Sequence, residues 1–201
     1  MLEEIVEFYE LAIKLKKVKR AGWVQQLQTE NVESVADHTF LTALMAMVLT
    51  DLKGFDTEKI VRMALLHDLE EIIIGDLTPR DKEKISAKEL KRMKEDAMKK
   101  IVLSIPKKLR PKYLKLMKEH KKYKSKEAKL LNEIENLEMI FQALEYEKDG
   151  FDKEKLDEFW EFVPKAVKPE DKDVIKIFET LKKKRKDLQK DVNQQNKTVS
   201  D

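Results

Sequence analysis

The sequence predicts an all-α fold, a helical bundle of about seven helices, and three observations support this prediction. Apolar residues recur mostly at spacings of three and four, which is the period of one face of an α-helix. Only 4 glycines and 5 prolines interrupt the 201 residues, so long helices fit the chain. We find no sustained alternation of apolar and polar residues of the kind that half-buried strands show.

The first two helices are predicted from an apolar face and from capping residues. The first is amphipathic, with apolar residues at positions 2, 5, 6, 9 and 13. Residues 17–33 look irregular. Ser34 and Asp37 then have the spacing of a capping box, which begins a strongly apolar helix that extends to about Thr50. Gly54 closes this segment, as glycine commonly does at the end of a helix.

The middle of the chain contains two further helices separated by a loop. Asp56 or Thr57 is placed to cap the next helix, whose apolar face includes positions 61, 64 and 65. Residues 75–81 read as a loop. Residues 86–89 form another capping box, and the helix that it begins extends to about residue 104.

The last part of the chain predicts longer helices and a polar tail. Pro106 separates the helix that ends at about residue 104 from a short helix that ends near Tyr123. Three helices follow at 126–148, 152–162 and 169–189, and Gly150 stops the first of them. We expect a single domain over residues 1–190 and a polar, disordered C-terminal tail over residues 191–201.

Composition excludes several classes of protein. The absence of cysteine rules out a disulfide scaffold, a cysteine-ligated metal site and a thiol nucleophile. Lys and Arg number 42 against 39 Asp and Glu, and this near-balance gives no sign of a nucleic-acid-binding protein. No apolar run approaches the roughly 20 residues of a membrane span, and the acidic N-terminus is unlike a signal peptide. We therefore expect a cytoplasmic protein that binds neither nucleic acid nor membrane.

Two of the three histidines suggest a metal site. His38 lies in the first turn of one predicted helix, and His67 with Asp68 lies near the end of the following helix. Consecutive helices joined by a short loop are usually neighbours, so two imidazoles and a carboxylate can converge between them. That donor set suits Mn, Co, Fe or Zn, although each histidine taken alone fits an ordinary hydrogen-bonded role. His120 lies in a charged run and reads as a surface residue.

Carboxylates directly after His67 are candidate acid–base groups. Glu71 follows His67 by four positions and Asp68 by three, so all three share one face if the helix continues. A carboxylate there can orient a metal-bound water or take its proton. Glu70 reads as a solvated residue, and Asp76 reads by itself as a turn or cap residue.

Longer motifs carry a family resemblance. They are RAGWV (20–24), ESVADH (33–38), MALLHDLEEIIIGDLTP (63–79), EAK (127–129) and LEMIFQALEYE (137–147). Together they resemble the HD-domain 5′-deoxynucleotidases, a family within the HD superfamily of metal-dependent phosphohydrolases. The resemblance covers roughly residues 5–150. It implies an HD-domain helical bundle that uses a divalent metal ion (Co, Mn or Zn, with Mg, Fe and Ni as further candidates).

The resemblance also implies the metal ligands. It assigns them to His38, His67, Asp68 and Glu135. The last position departs from the family pattern, in which it is an aspartate, and the extra methylene shifts the carboxylate by about one bond length. Glu133 and Glu135 differ by roughly 200° around a helix, so only one of them faces the site, and periodicity alone does not decide which.

The remaining roles concern catalysis and the substrate. By resemblance Glu71 activates water, Asp76 lies near the reacting phosphate, and Trp23 packs against the deoxyribose. Arg20 is our candidate for the phosphate, although Gly22 separates it further from the tryptophan than in some family members. A role for Trp23 as a core residue is an equally good interpretation of the sequence.

The function implied is hydrolysis of deoxyribonucleoside 5′-monophosphates to deoxynucleoside and phosphate by a homodimeric phosphomonoesterase. The alternative is a non-catalytic or weakened helical protein that binds nucleotides or mediates assembly, and the glutamate at position 135 is its best support. Other HD reactions need more histidines than this chain offers. The basic run 182–186 fits the solvated end of a helix better than a nucleic-acid site.

Overall fold

Helices account for all the regular structure that the computed structural model describes. It describes residues 2–198, but not the side chains of Phe162, Pro164, Ala166, Val167 and residues 191–198. Eleven α-helices and one 3-10 helix occur in this range. They are α1 (Leu2–Ala12), the 3-10 helix (Ile13–Lys17), α2 (Ala21–Leu27), α3 (Val35–Lys53), α4 (Thr57–Leu66), α5 (Glu71–Ile74), α6 (Pro79–Glu83), α7 (Ala87–Ser104), α8 (Arg110–Lys121), α9 (Lys126–Lys148), α10 (Lys153–Val167) and α11 (Lys172–Thr198). The all-α prediction is confirmed.

Helices α3 and α4 begin and end where the sequence indicates. The Ser34 hydroxyl accepts from the Asp37 backbone N–H, and the Asp37 side chain accepts from the Ser34 backbone, so the capping box is complete. Gly54 ends α3 with a left-handed backbone, at φ 63°. Asp56 caps α4 by accepting from the Lys59 backbone N–H. These are local interactions, which a sequence pattern can report.

Two segments predicted to be irregular contain short helices. In the first, residues 17–33, Lys19 forms an isolated antiparallel bridge with Ser34, and α2 lies between these two residues along the chain. In the predicted loop 75–81, Thr78 begins α6 with a second capping box. With 7 residues in α2 and 5 in α6, these helices are too short for an apolar period to be visible. The expected count of about seven was therefore too low.

The chain divides into two compact units, and the division falls inside α9, between Leu131 and Asn132. In the first unit, α3 packs along α4 and against the 3-10 helix, α4 also packs on α8, and α5 packs on α7. The core of this unit is apolar, with members such as Val35, Ala46, Ile60, Met63, Ala64, Ile101 and Ile105 almost fully buried. Among the described residues, only α3 is long and apolar enough to be a candidate membrane span. Its most apolar 18-residue window has a mean hydropathy of 1.3, and 44% of that window is buried.

The second unit contains the rest of α9 together with α10 and α11. Arg185 of α11 bonds to Glu147 and Asp157, and its guanidinium lies over the ring of Trp160 at 4.9 Å. This network holds the three helices together around an apolar core. Helix α11 extends to Thr198, and residues 199–201 lie outside the described residues. The domain limits and the disordered tail stay predictions.

Candidate metal centre

His38, His67 and Asp68 converge at one place in the first unit. One ligand atom from each lies within 4.8 Å of the other two. The Nε2 atom of His67 lies 2.9 Å from Oδ2 of Asp68, and Nε2 of His38 lies 4.0 Å from the same oxygen. Both histidines are buried, at 2% and 7% exposed. The sequence prediction that these three residues meet between consecutive helices agrees with this geometry.

The backbone of α4 fixes the orientation of His67. Its Nδ1 atom lies 2.6 Å from the carbonyl oxygen of Ala64, which is the distance of a hydrogen bond donated by the imidazole. That assignment turns Nε2 towards the carboxylate of Asp68 at 2.9 Å. A proton on Nε2 joins the two atoms in the free protein, and a divalent ion would take the place of that proton. A carbonyl that fixes one ring nitrogen while the other faces the ligand is the usual arrangement at metal-binding histidines.

The ionisation of Asp68 suits a metal ligand. Burial by itself opposes the charged form, but the neighbouring His67, which also donates a hydrogen bond, together with His38 and Arg20, holds the pKa of this carboxyl well below its usual range. Asp68 is therefore a carboxylate at any pH near neutrality. Its side chain is 19% exposed, so the cluster remains accessible from solvent.

Glu71 differs from Asp68 because its environment disfavours the charged form. Burial raises the pKa of Glu71 to about 9, and repulsion from Asp68 and Asp76 adds to this effect, while Arg20 and His67 oppose it. Among the described residues, no hydrogen-bond partner reaches its buried Oε2 atom. A carboxyl with one buried oxygen that lacks a partner, beside a cluster of metal ligands, is suited to bind a water, a proton or a substrate atom.

Asp76 and Arg20 form an ion pair next to this carboxyl. Arg20 Nη1 lies 3.2 Å from Oδ2 of Asp76, and the backbone N–H of Ala21 donates to the same oxygen at 2.9 Å. The neighbouring carboxylates, Asp76 first, raise the pKa of the Arg20 guanidinium although burial opposes its charge. The pair therefore joins the N-terminus of α2 to the segment that follows α5, 56 positions away along the chain.

Trp23 is buried more deeply than a wall for a ligand would be. It is 1% exposed, and its indole N–H donates to Glu33 at 2.7 Å. In this conformation almost none of its surface is available to a sugar, so the structure favours the core role that the sequence left open. Contact of Trp23 with the deoxyribose stays a prediction.

Two residues that the sequence placed in solvent are buried in the site. Glu70 is 6% exposed, and both of its oxygens accept from Lys121, at 2.6 and 2.7 Å. His120 is 8% exposed, and its ring packs edge-on against that of His67, with centroids 5.9 Å apart. The interpretation of both as solvated residues is therefore wrong.

A signal for His120 was present in the sequence. Leu116 and Met117 are buried on α8, and they precede His120 by four and three positions, the spacing of one helical face. The charged residues around His120 concealed that apolar face. For Glu70 no local signal exists, because its partner lies 51 residues further along the chain.

Glu133 and Glu135 lie on α9 within the second unit. The carboxylate of Glu133 accepts from the backbone N–H groups of Glu170 and Asp171, at 3.1 and 3.0 Å, and so stabilises the approach to α11. Glu133 therefore has a structural role in the second unit. The adjacent Glu138 is fully buried. The assignment of Glu135 as a metal ligand stays a prediction.

The donor set of the first unit fits a divalent transition metal. Two imidazole nitrogens and one carboxylate oxygen are the ligands that Zn, Mn, Co and Fe share, and such a site keeps positions open for water. The close approach of His67 Nε2 to Asp68 Oδ2, at 2.9 Å, supports this fit. The cluster therefore has the composition of a centre that polarises a bound oxygen.

Comparisons with known proteins identify the family of the chain. The HD domain family profile matches residues 12–173. The chain is 38% identical over 157 residues to 5′-deoxynucleotidase HDDC2 of Homo sapiens, covering 78% of this chain and 75% of that protein. It is 35% identical to 5′-deoxynucleotidase HDDC2 of Danio rerio, covering 92% and 89%.

Solved structures show the same fold. A conserved hypothetical protein of Pyrococcus furiosus superposes with a TM-score of 0.72 at 31% identity, covering 89% of this chain and 99% of that chain. A protein of Magnetospirillum magnetotacticum, described as a predicted metal-dependent phosphohydrolase, superposes with a TM-score of 0.66 at 19% identity, covering 93% of each chain. The second likeness supports the fold alone.

Proposed function

The chain belongs to the HD domain family and, within it, to the 5′-deoxynucleotidases, and on that premise we propose how its site acts. The protein is a phosphoric monoester hydrolase that converts deoxyribonucleoside 5′-monophosphates to deoxynucleoside and phosphate. The observation that carries this function is the cluster of His38, His67 and Asp68 with the buried carboxyl of Glu71 beside it. The small nucleotide is the substrate, and no nucleotide cofactor is needed.

The metal ligands proposed are His38, His67 and Asp68, with Glu135 as the fourth. A divalent ion held there supplies a Lewis acid for a phosphoryl oxygen, lowers the pKa of water and offsets the repulsion among the neighbouring carboxylates. We propose Co, Mn or Zn as the native ion, with Mg, Fe and Ni as the next candidates. In the free protein, burial first and then repulsion from Asp68 and Asp76 raise the pKa of Glu71 and keep it protonated.

Glu71 is the proposed acid–base residue of the hydrolysis. Its carboxylate orients the attacking water and takes one proton while the water oxygen forms a bond to phosphorus. The bond between phosphorus and the ester oxygen breaks, and that oxygen takes the proton that Glu71 removed from water to become the 5′-hydroxyl of the deoxynucleoside. A general acid–base group of this kind contributes typically 10²–10⁴-fold to the rate.

Arg20 and Asp76 are proposed to position the phosphate. The guanidinium is held by Asp76 and fixed at the N-terminus of α2, so it presents a preorganised positive charge to an incoming phosphoryl group. Charge stabilisation by a fixed guanidinium strengthens as negative charge develops on the phosphoryl oxygens. We propose that Trp23 supports this region through packing.

The test is phosphate release from a panel of deoxyribonucleoside and ribonucleoside 5′-monophosphates, with Co²⁺, Mn²⁺ or Zn²⁺ added to chelator-treated protein. We expect release from the deoxy substrates, dependence on metal and loss of release in the His67→Ala variant. No release with any of these metals would contradict the function. Metal occupancy near zero after soaking would instead favour the non-catalytic alternative.

Three finer properties complete the proposal. We propose that the protein works in the cytoplasm, that it is a homodimer, and that it acts without nucleic acid or a membrane. The near-balance of 42 basic and 39 acidic residues supports the absence of a nucleic-acid partner. A nitrocellulose filter assay with single- and double-stranded DNA at low salt tests this point, and retention that salt abolishes would contradict it.

A further inference from the structure

A cavity of about 690 Å³ lies between α7 and α8, both in the first unit. We name it the α7–α8 cavity. Leu90, Met98 and Val102 of α7 line it at spacings of eight and four, which place them on one face of that helix. Leu114 of α8 lies on the opposite wall. The volume is within the range of roughly 300–1,000 Å³ that small-molecule sites have.

The walls of the α7–α8 cavity suit an aliphatic chain rather than a nucleobase. Among the described residues that line it, none is aromatic, and none carries a hydroxyl or an amide side chain. A nucleobase is bound through hydrogen bonds to its edge and by stacking on a planar side chain. The lining also shares no residue with the cluster of His38, His67 and Asp68. The cavity is therefore distinct from the site proposed for the nucleotide.

The charged residues around the α7–α8 cavity are mostly cationic. One of them is an acid, Glu95, and the others are five lysines: Lys91, Lys94, Lys99, Lys118 and Lys121. Lys91 pairs with Glu95 at 3.9 Å, and Lys121 pairs with Glu70 at 2.6 Å. The other three lysines have no ion pair within the described part of the chain. An apolar chain with an anionic end complements this arrangement in both shape and charge.

Lys94 marks the place for the anionic end. Its side chain is half-buried, and no hydrogen bond or ion pair from another described residue holds its ammonium group. Burial lowers the pKa of Lys94, and repulsion from Lys82 and Lys121 adds to this effect. The nearby Glu70 and Glu71 oppose it. An anion beside Lys94 would stabilise the charged lysine and offset its repulsion from Lys121.

We propose that the α7–α8 cavity binds a medium-chain fatty acid, with the hydrocarbon chain between the two helices and the carboxylate at Lys94. The chain leaves water for an aliphatic wall, and its affinity rises with each methylene that is buried. The carboxylate accepts charge-assisted hydrogen bonds from the ammonium group of Lys94. Lys118 and Lys121 add attraction at the same side of the cavity.

The volume favours a fatty acid over a helix of a partner protein. The α7 wall extends from Ala87 to Leu103, which is roughly 24 Å along the helix axis. A partner helix of that length and about 10 Å in diameter has a volume of roughly 1,900 Å³. Even one embedded half of it exceeds the 690 Å³ of the cavity. A single hydrocarbon chain needs much less room.

The experiment is calorimetric titration of the full, metal-loaded chain with decanoate below its critical micelle concentration. We expect one equivalent to bind. Dodecanoate should bind about tenfold more tightly and octanoate about tenfold more weakly, because two methylenes are added or removed. Decanol has the same chain without the carboxylate and should bind at least about tenfold more weakly than decanoate.

Variants test the two parts of the proposed site separately. Lys94→Glu should weaken decanoate binding by about tenfold or more, because the new carboxylate repels that of the ligand, and Lys94→Arg should keep most of the affinity. Val102→Trp fills the cavity and should abolish binding. The matched control is Lys100→Glu, at an exposed position of α7 outside the cavity, which should bind decanoate as the wild type does. Circular dichroism checks that each variant is folded.

Several results would overturn the proposal. They are no binding of decanoate, equal binding of decanol, and unchanged binding in Lys94→Glu. Binding that is lost after chelator treatment would place decanoate at the metal centre, and displacement by dAMP would make the cavity a nucleotide site. An affinity that falls as protein concentration rises would mean that a second copy covers the cavity. Displacement by an acidic amphipathic peptide at lower concentration would assign it to a protein partner. Because binding is measured without substrate, the result does not depend on whether the protein hydrolyses nucleotides.

Discussion

The ion pair between Glu70 and Lys121 joins the segment that carries the site to the end of α8, and Lys121→Met removes it. Glu70 immediately precedes Glu71 and accepts from Lys121 with both oxygens. Its side chain is 8% exposed, whereas that of Lys121 is 34% exposed. The variant keeps the methylene packing of the lysine and leaves a nearly buried carboxylate without its cation.

The expected cost follows from these exposures. Breaking a fully buried ion pair from one side costs about 3–5 kcal/mol. Water reaches a third of the Lys121 side chain and can hydrate the remaining carboxylate in part, so we expect about 2 kcal/mol, within the range for a charged acceptor left without its donor. For a chain of this length that corresponds to a fall in Tm of about 4–8 °C.

The assay is a double-mutant cycle measured by urea unfolding of the wild type, Lys121→Met, Glu70→Gln and the double variant. The double variant should lose less than the sum of the single variants, with a coupling energy above about 1 kcal/mol. Lys122→Met, at the exposed neighbour, is the control and should be neutral. In the metal-loaded enzyme, Lys121→Met should lower kcat more than it changes KM, because Lys121 acts by positioning Glu71. Lys121→Arg keeps the positive charge and should have a higher kcat than Lys121→Met. Additive losses within about 0.5 kcal/mol would refute the reasoning.

Three other predictions concern the site itself. Glu71→Gln should lower kcat by about 10²–10⁴-fold with little change in metal occupancy, measured by phosphate release and metal analysis, and near-normal turnover would exclude the acid–base role. Without metal, the wild type should lose stability as pH rises from about 4.5 towards about 9, since the folded state keeps a proton on Glu71 that the unfolded state has released. The free energy of unfolding should fall by at most about 1.4 kcal/mol per pH unit. Thermal melts should show a smaller fall in Glu71→Gln, and equal falls in the two proteins would contradict this explanation. Arg20→Met should raise KM for the nucleotide and destabilise the fold by about 1–3 kcal/mol, because Asp76 loses its cation, and an unchanged KM would remove Arg20 from phosphate binding.

Local chemistry explains which parts of the fold the sequence predicted. Ser34 with Asp37 begins α3 and Gly54 ends it, and each interaction is complete within a few residues of the chain. The histidine positions and the HD pair were equally readable, because His67 closes one helix and His38 opens the preceding one. Helices α2 and α6 were missed because they are too short to show an apolar period, and α2 also has a distant partner, since Asp76 accepts from the backbone N–H of Ala21.

The sequence by itself determined the helical class, the capped ends of the long helices and the identity of the residues that can bind a metal, since spacing and side-chain chemistry are properties of short stretches of chain. Tertiary structure decided the environment of those residues. It buried Trp23 against Glu33, brought Lys121 to Glu70 and isolated the carboxyl of Glu71 beside two other acids. Burial and charge are set by groups that are distant along the chain, so pKa values and ion pairs of the site appear only once the helices are packed.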